Sequence, residues 1–291
     1  MSKYAVLTDS ACDIPPEVAE KHHIDILSFS ITLDGKSYVE RQDFTFDEYY
    51  DMLRNAEGVP TTAQVTSLRF FEQYCLYDDA GCEEVLHVTI CGKGSATYES
   101  AQLAARQFAE ERPASKMKVH IVDSHTYSMV YGYFVVEAAK KLRSNAEMQD
   151  VVAYLEDAFS RMEIVLAAYS LKFMKKSGRI SAAAAFAGEL LGLKPIISLN
   201  DGVSRVENKV RGDAAVMPAM LKLAKARIDA DSEIPYLIGT TDDERGAQLA
   251  KLCKKEFGQA PFAVFKLGAA VTSNTGPDAV AIVFPGQKRR R

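Results

Sequence analysis

Three apolar runs in the first half of the chain each end in small polar residues and each lead into a helix-like pattern. This repetition restricts the fold to a layered α/β type. YAVLTDS (4–10) and KVHIVDS (118–124) both place Asp-Ser just past an apolar strand, and VLHVTI (85–90) runs into the turn Gly92–Ser95. Strands that alternate with helices imply a parallel sheet covered on both faces. In open sheets of this kind, ligands bind off the carboxyl ends of the strands. Asp9, Ser10, Ser95, Asp123, Ser124 and the loop 61–66 are therefore expected along one rim. The competing role for Asp9 and Asp123 is helix capping and loop bracing.

The remaining segments fill in two α/β domains, expected over 1–160 and 161–291, with a helix at 147–161 between them. Pro15 and Pro16 mark a helix start, and residues 24–40 read as extended segments folded at Asp34-Gly35,. Helices are expected at 46–56, after the hydroxyl-rich loop 61–66, at 97–111 and at about 126–142. The second half reads as a strand at 163–170, a basic glycine turn at 175–179 and a small-residue helix at 181–192. A hairpin with Asp201-Gly202 at its turn follows, then a helix near 212–229, a strand at 236–240 and a helix at 243–257,. Strands near 262–267 and 279–284 complete it, so the C-terminal sheet is expected to be mixed.

Bulk properties exclude several classes. With 291 residues, 47% hydrophobic and 25% charged, the chain has a globular composition,. A net charge of −4 gives no general attraction to nucleic acid,. The basic run Lys288–Arg291 reads as a solvated tail,. No apolar run approaches the roughly 18–20 residues of a membrane span, and the strand-like start at Tyr4 has no signal-peptide core,. Cys12, Cys75, Cys82, Cys91 and Cys253 are odd in number and hold no C-x-x-C pair, against a disulfide framework or zinc site,. A cytoplasmic setting is expected, with no metal or cofactor.

The turn after residue 90 carries the chemistry. Gly92 and Gly94 allow tight turning and close approach of a ligand,. Ser95 and Thr97 stand where a helix leaves unpaired N–H groups, a setting that binds oxyanions,. The third glycine of a dinucleotide fingerprint is missing, and Lys93 lies between the glycines rather than in P-loop position,. What remains is a set of neutral hydroxyl donors suited to a single carboxylate. His87 and His120 lie inside strands and read as packed structural imidazoles, whereas His125 is the one histidine near the rim. Neither a nucleophile elbow nor a metal helix is visible. Two other readings stay open. One is a stand-alone phosphotransferase or hydrolase using Asp9, Asp123 and His125. The other is a regulatory module for another lipid or small carboxylate.

The ordered motifs resemble the DegV family of bacterial fatty-acid-binding proteins over nearly the whole chain. TDSACDIP (8–15), TAQVT (62–66), SATYESA (95–101), VDS (122–124), KSGRIS (176–181), LLGLKPIISLNDG (190–202) and SNTGP (273–277) stand in the family's order. The resemblance implies two α/β domains, a buried acyl pocket in the C-terminal one, and a non-catalytic role. Family members characterised as fatty acid kinase subunits present a bound fatty acid to a separate ATP-binding kinase, which converts the carboxylate to an acyl phosphate, and the resemblance implies such a partner here. By position, Thr62, Ser95 and Asn274 would hold the carboxylate, with Thr61, Gly94, Thr97, Ser124, His125 and Thr275 as further ligand contacts. Lys176, Arg179 and Arg211 would face the kinase. Lipid exchange would involve transient membrane contact. The chain departs from the family at Asn274, where a histidine is usual, and at Asp278, where a glycine is usual. Asn can only hydrogen-bond where histidine can also carry charge. Asp278 would oppose a carboxylate if it faced one. Ala63, Val65 and Ala96 are further departures.

Overall fold

We describe residues 3–178 and 192–289 of a computed structural model. The chain opens with β1 (Tyr4–Asp9), a tight turn of helix at Ser10–Cys12, α1 (Pro16–His22) and β2 (Ile24–Leu27). An excursion follows: β3 (Ser30–Leu33), β4 (Lys36–Val39), α2 (Phe46–Asn55) and β5 (Thr61–Ala63). The chain then returns through α3 (Ser67–Asp79), β6 (Glu84–Thr89), α4 (Thr97–Glu111), β7 (Lys118–Asp123), α5 (Met129–Arg143) and α6 (Met148–Arg161).

Two compact units result: Met1–Ser30 with Ala63–Phe159, and Ile31–Thr62 with Ser160–Arg291. The range 1–160 is thus interrupted, because residues 31–62 fold with the second unit. Their apolar side chains explain this. Ile31, Leu33, Phe44, Tyr49 and Leu53 bury in one cluster with Phe173 and Ala269. Full burial of such a side chain contributes about 1.5–3 kcal/mol, so the cluster dictates where the excursion docks.

The first unit is built on a four-stranded parallel sheet of order β2-β1-β6-β7. Its central strands β1 and β6 are rich in buried Val and Leu, as a strand covered on both faces requires,. Phe70 and Tyr74 from α3, Ala101 and Ala104 from α4, and Phe134 and Val135 from α5 are all buried in this unit. Gly132 permits one tight crossing: a Cβ there would lie 2.2 Å from the Cys12 carbonyl oxygen.

The second unit continues with β8 (Met162–Ala168), α7 (Lys172–Ser177), β9 (Leu193–Asn200), β10 (Val203–Arg211) and α8 (Val216–Lys225). It closes with β11 (Leu237–Thr240), α9 (Asp243–Phe257), β12 (Val264–Lys266), α10 (Ala269–Thr275) and β13 (Ala279–Pro285). Six strands form a mixed sheet of order β10-β9-β8-β13-β11-β12, antiparallel except for the β11–β12 pair. β13 lies inside this sheet and is buried at every residue. Both hairpins fold where Asp-Gly forecasts them. Asp34 and Gly35 take φ of 48° and 79°, and Asp201 and Gly202 take 48° and 74°, the left-handed pair of a two-residue hairpin turn,.

Two local readings need correction. The basic turn 175–179 is helical through Ser177, and Gly178, at φ 70°, ends α7. The C-terminal basic run is docked at Arg289: its side chain donates to Asp201 (2.8 Å) and its backbone N–H to the Ser160 carbonyl (3.0 Å). The helix expected at 181–192 lies outside the described residues apart from Gly192. Among the described residues, no helix is long and apolar enough to cross a membrane.

Candidate functional site

The first unit holds the turn at the carboxyl end of β6 with acids from both neighbouring strands. Ile90 N–H donates to the Asp9 carboxylate (2.8 Å) and Gly92 N–H to Asp123 (3.0 Å). Cys91 N–H reaches the Thr126 carbonyl, and the Gly94 and Ser95 N–H groups both return to the Cys91 carbonyl, each at 3.0 Å. Gly94 packs on Tyr127, whose hydroxyl would lie 2.4 Å from a Cβ at this position. The backbone is therefore fixed before α4 begins.

Asp9 and Asp123 act as braces here. Asp9 is fully buried and also accepts from Ala11 N–H (3.2 Å) and the Tyr131 hydroxyl (2.6 Å). Asp123 also accepts His125 N–H (2.8 Å) and lies 3.3 Å from its Nδ1. His125 itself sits at φ 53°, turned back onto that carboxylate. Ser124 is fully buried, donating to the Thr126 carbonyl and accepting Thr126 N–H, both at 3.2 Å. Ser10 is likewise buried and accepts Phe29 N–H (2.9 Å).

Ser95 differs from these. It is partly exposed, and its Oγ lies 2.8 Å from the Oγ1 of buried Thr97 while accepting Thr97 N–H at 3.3 Å. If Thr97 gives its hydroxyl proton to Ser95, the Ser95 proton is left for an outside acceptor. A hydroxyl with two donors behind it and one proton forward can bind an oxyanion without carrying charge.

The second unit presents the other predicted residues. Thr61 is exposed and Thr62 partly buried on β5, and the Thr62 hydroxyl has no hydrogen-bond partner among the described residues. Asn274 is partly buried on α10 and donates Nδ2–H to the Ala270 carbonyl (2.9 Å). Thr275 is buried, with its hydroxyl on the Gly276 carbonyl (3.3 Å). Asp278 has cationic neighbours: its carboxylate is 3.9 Å from Arg54 and 3.9 Å from Arg245, and Arg245 lies 3.9 Å over the Tyr169 ring. Paired in this way, its charge is screened within its own unit. Arg211 is exposed at the end of β10, opposite Leu193. Lys176 belongs to α7, and Arg179 lies outside the described residues.

Both strand histidines are structural. His87 is fully buried against Phe70 and bonded to the Tyr74 hydroxyl (2.6 Å). Burial pushes its pKa down to about 3, so it stays neutral. His120 pairs with Glu84 at 3.1 Å. The reading of the sequence alone missed Glu40 and Tyr49. Glu40 is fully buried and accepts Ala270 N–H (2.8 Å), and the Tyr49 hydroxyl lies 2.6 Å from Ser273 Oγ. No local pattern marks either residue, since each earns its role through a partner more than 220 positions away.

The model of the family described as "Uncharacterised protein, DegV family" matches residues 3–286. The chain belongs to the DegV family. A DegV domain-containing protein of Caldanaerobacter subterraneus subsp. tengcongensis is 27% identical over 287 residues, covering 98% of this chain and 99% of that one. A solved structure described as fatty acid binding of a DegV family protein from Thermus thermophilus superposes at TM-score 0.85. It has 26% identity and covers 98% of this chain and 99% of that chain. A stearic-acid-binding protein from Eubacterium ventriosum shares the DegV fold at TM-score 0.87 and 24% identity, covering 97% and 98% of the two chains.

Proposed function

We propose that this chain binds a long-chain fatty acid and holds its carboxylate by the hydroxyls of Thr62 and Ser95, with the Asn274 side-chain amide as a third donor. Support comes from the chain-long likeness to the Thermus thermophilus protein described as binding fatty acid. The observation that carries the reading is the Ser95 hydroxyl, which takes the Thr97 N–H from behind on a turn fixed by two buried or half-buried aspartates. Neutral donors suit this ligand, because the acyl chain supplies the binding energy at about 0.8 kcal/mol per buried methylene and the head needs only fixation. Asn274 donates one amide proton to its own helix and keeps the second for the ligand,. The Asp278 carboxylate lies near Arg54 and Arg245, whose charges oppose the negative charge introduced by that departure from the family.

On this reading the chain is a substrate-presenting subunit and supplies no catalytic group. An ATP-dependent kinase subunit would transfer the phosphoryl group to the carboxylate, docking near Lys176, Arg179 and Arg211. Membrane contact would be transient, for loading and release of lipid. Native mass spectrometry of protein taken from bacterial cells tests the first part: one fatty acid per chain is expected. A different lipid or a small carboxylate in its place would assign the chain to a regulatory binding role. Mixing the loaded protein with an ATP-dependent fatty acid kinase tests the second. Hydroxylamine should trap the acyl phosphate as a hydroxamate, and Arg179→Ala or Arg211→Ala should lower that yield without changing lipid affinity.

A further inference from the structure

The short helix α10 carries Asn274, yet after Ala269 and Ala270 it consists of poor helix formers, Val-Thr-Ser-Asn-Thr,. Three of its polar side chains bond back to the helix carbonyls four residues earlier. Thr272 donates to Gly268 (2.9 Å), Ser273 to Ala269 (2.7 Å) and Asn274 to Ala270 (2.9 Å). Such back-bonding weakens a helix rather than forming one. The helix therefore depends on tertiary contacts for its register.

Those contacts come from the excursion 31–62. The Tyr50 hydroxyl donates to the Leu267 carbonyl just ahead of the helix (2.5 Å), and the Tyr49 hydroxyl meets Ser273 (2.6 Å). Glu40 takes the Ala270 N–H at 2.8 Å. That N–H lies in the first turn, where a helix has no acceptor of its own and favours negative charge. Ala270 is thus gripped at both ends: its N–H by Glu40 and its carbonyl by the Asn274 amide.

We infer that Glu40 is a positioning residue for ligand binding, which fixes Ala270 and through it the direction in which Asn274 offers its remaining amide proton. The inference rests on the fatty acid reading for its functional meaning, but the structural coupling can be measured without a ligand. Asn274 Nδ2 is held by an oxygen whose position depends on the helix register. A released Ala270 N–H lets the first turn unwind and swings that amide away from its fixed direction. Gln in place of Glu40 keeps an acceptor oxygen at the same reach, whereas Ala removes it.

The test is a double-mutant cycle with palmitate affinity as one readout and the Asn274 side-chain amide resonances of ligand-free protein as the other. Glu40→Ala is expected to weaken palmitate binding about tenfold, and Glu40→Gln to stay within about twofold. In an Asn274→Ala background, Glu40→Ala should change affinity by less than about twofold, since the group it positions is gone. Without ligand, the two Asn274 amide protons should be well separated in the native chain and should collapse together in Glu40→Ala. An equal loss in both backgrounds overturns the inference, as does an Asn274 amide pair unmoved by Glu40→Ala. If Glu40→Ala does not fold, Glu40→Asp withdraws the carboxylate by one methylene and serves the same cycle. A native chain that takes up no palmitate refutes the fatty acid reading instead, and the amide resonances then decide the positioning role alone.

Discussion

The hydroxyls of Tyr49 and Ser273 meet at 2.6 Å inside the second unit, 224 positions apart in sequence. Tyr49 is fully buried on α2 and Ser273 nearly so on α10, so the bond ties the excursion to the helix that bears Asn274. Burial, with the Glu40 carboxylate nearby, pushes the Tyr49 phenol well above its usual pKa, and the bond to Ser273 opposes this. The phenol is neutral at any working pH. Tyr49→Phe should cost about 0.5–1.5 kcal/mol of stability, the net value of one buried hydrogen bond. Urea denaturation checks this, and a loss near zero would mean the bond is not formed in solution.

His87 makes the first unit sensitive to acid. Its native pKa is pushed down to about 3 by burial, below the ordinary 6.5. Between those values the unfolded chain carries a proton that the native imidazole excludes. Unfolding therefore takes up protons, and stability falls as pH drops below about 6.5. The loss continues until the native pKa is reached, and between pH 7 and pH 4 it should amount to about 1–3 kcal/mol. His87→Gln, which can still bond Tyr74 without titrating, should flatten the pH profile of the melting temperature over this range. An unchanged profile would contradict the assignment.

Gly132 lies where α5 crosses the turn at Cys12, and a Cβ would meet the Cys12 carbonyl oxygen at 2.2 Å. A backbone oxygen cannot rotate out of the way as a side chain can. Gly132→Ala should therefore destabilise by about 1–3 kcal/mol despite the better helix propensity of alanine. Thermal melting should show a clear drop, and a stabilised variant would mean that the helix sits farther from the turn.

Much of this architecture was legible in the sequence where local periodicity and tertiary packing agree. The helix 97–111 falls where it was read, and the strands expected at 85–90 and 118–124 are found at Glu84–Thr89 and Lys118–Asp123. Both Asp-Gly turns were legible because the left-handed pair of conformations selects those residues,. The helix α10 was not, because its β-branched and hydroxyl residues carry no helical signal of their own and are held by Glu40, Tyr49 and Tyr50 from far along the chain. The docking of residues 31–62 was hidden for a similar reason. An apolar face shows that a segment is buried, but not which sheet or helix buries it. At the candidate site, the position of Ser95 followed from the glycine turn ahead of a helix. The role of Asp9 as a brace for Ile90 and Tyr131 required the fold.

Asp278 offers a further check on the head-group electrostatics. Its contacts to Arg54 and Arg245 are long, at 3.9 Å each, and about a third of the carboxylate is exposed. Exposed pairs of this kind contribute about 0–1 kcal/mol. Asp278→Gly, the residue usual in the family, should leave thermal stability nearly unchanged and fatty acid affinity within about twofold. A large gain in affinity would show that the Asp278 charge acts on the ligand directly.

Palmitate affinity of the native chain measured beside Ser95→Ala tests the central claim most directly. The account predicts saturable binding of one fatty acid, weakened by about 1–3 kcal/mol, or about 5- to 150-fold, when the Ser95 hydroxyl is removed from the carboxylate. Equal affinity of the two proteins would contradict the assigned head-group site. A native chain that takes up no fatty acid of any length would contradict the function itself.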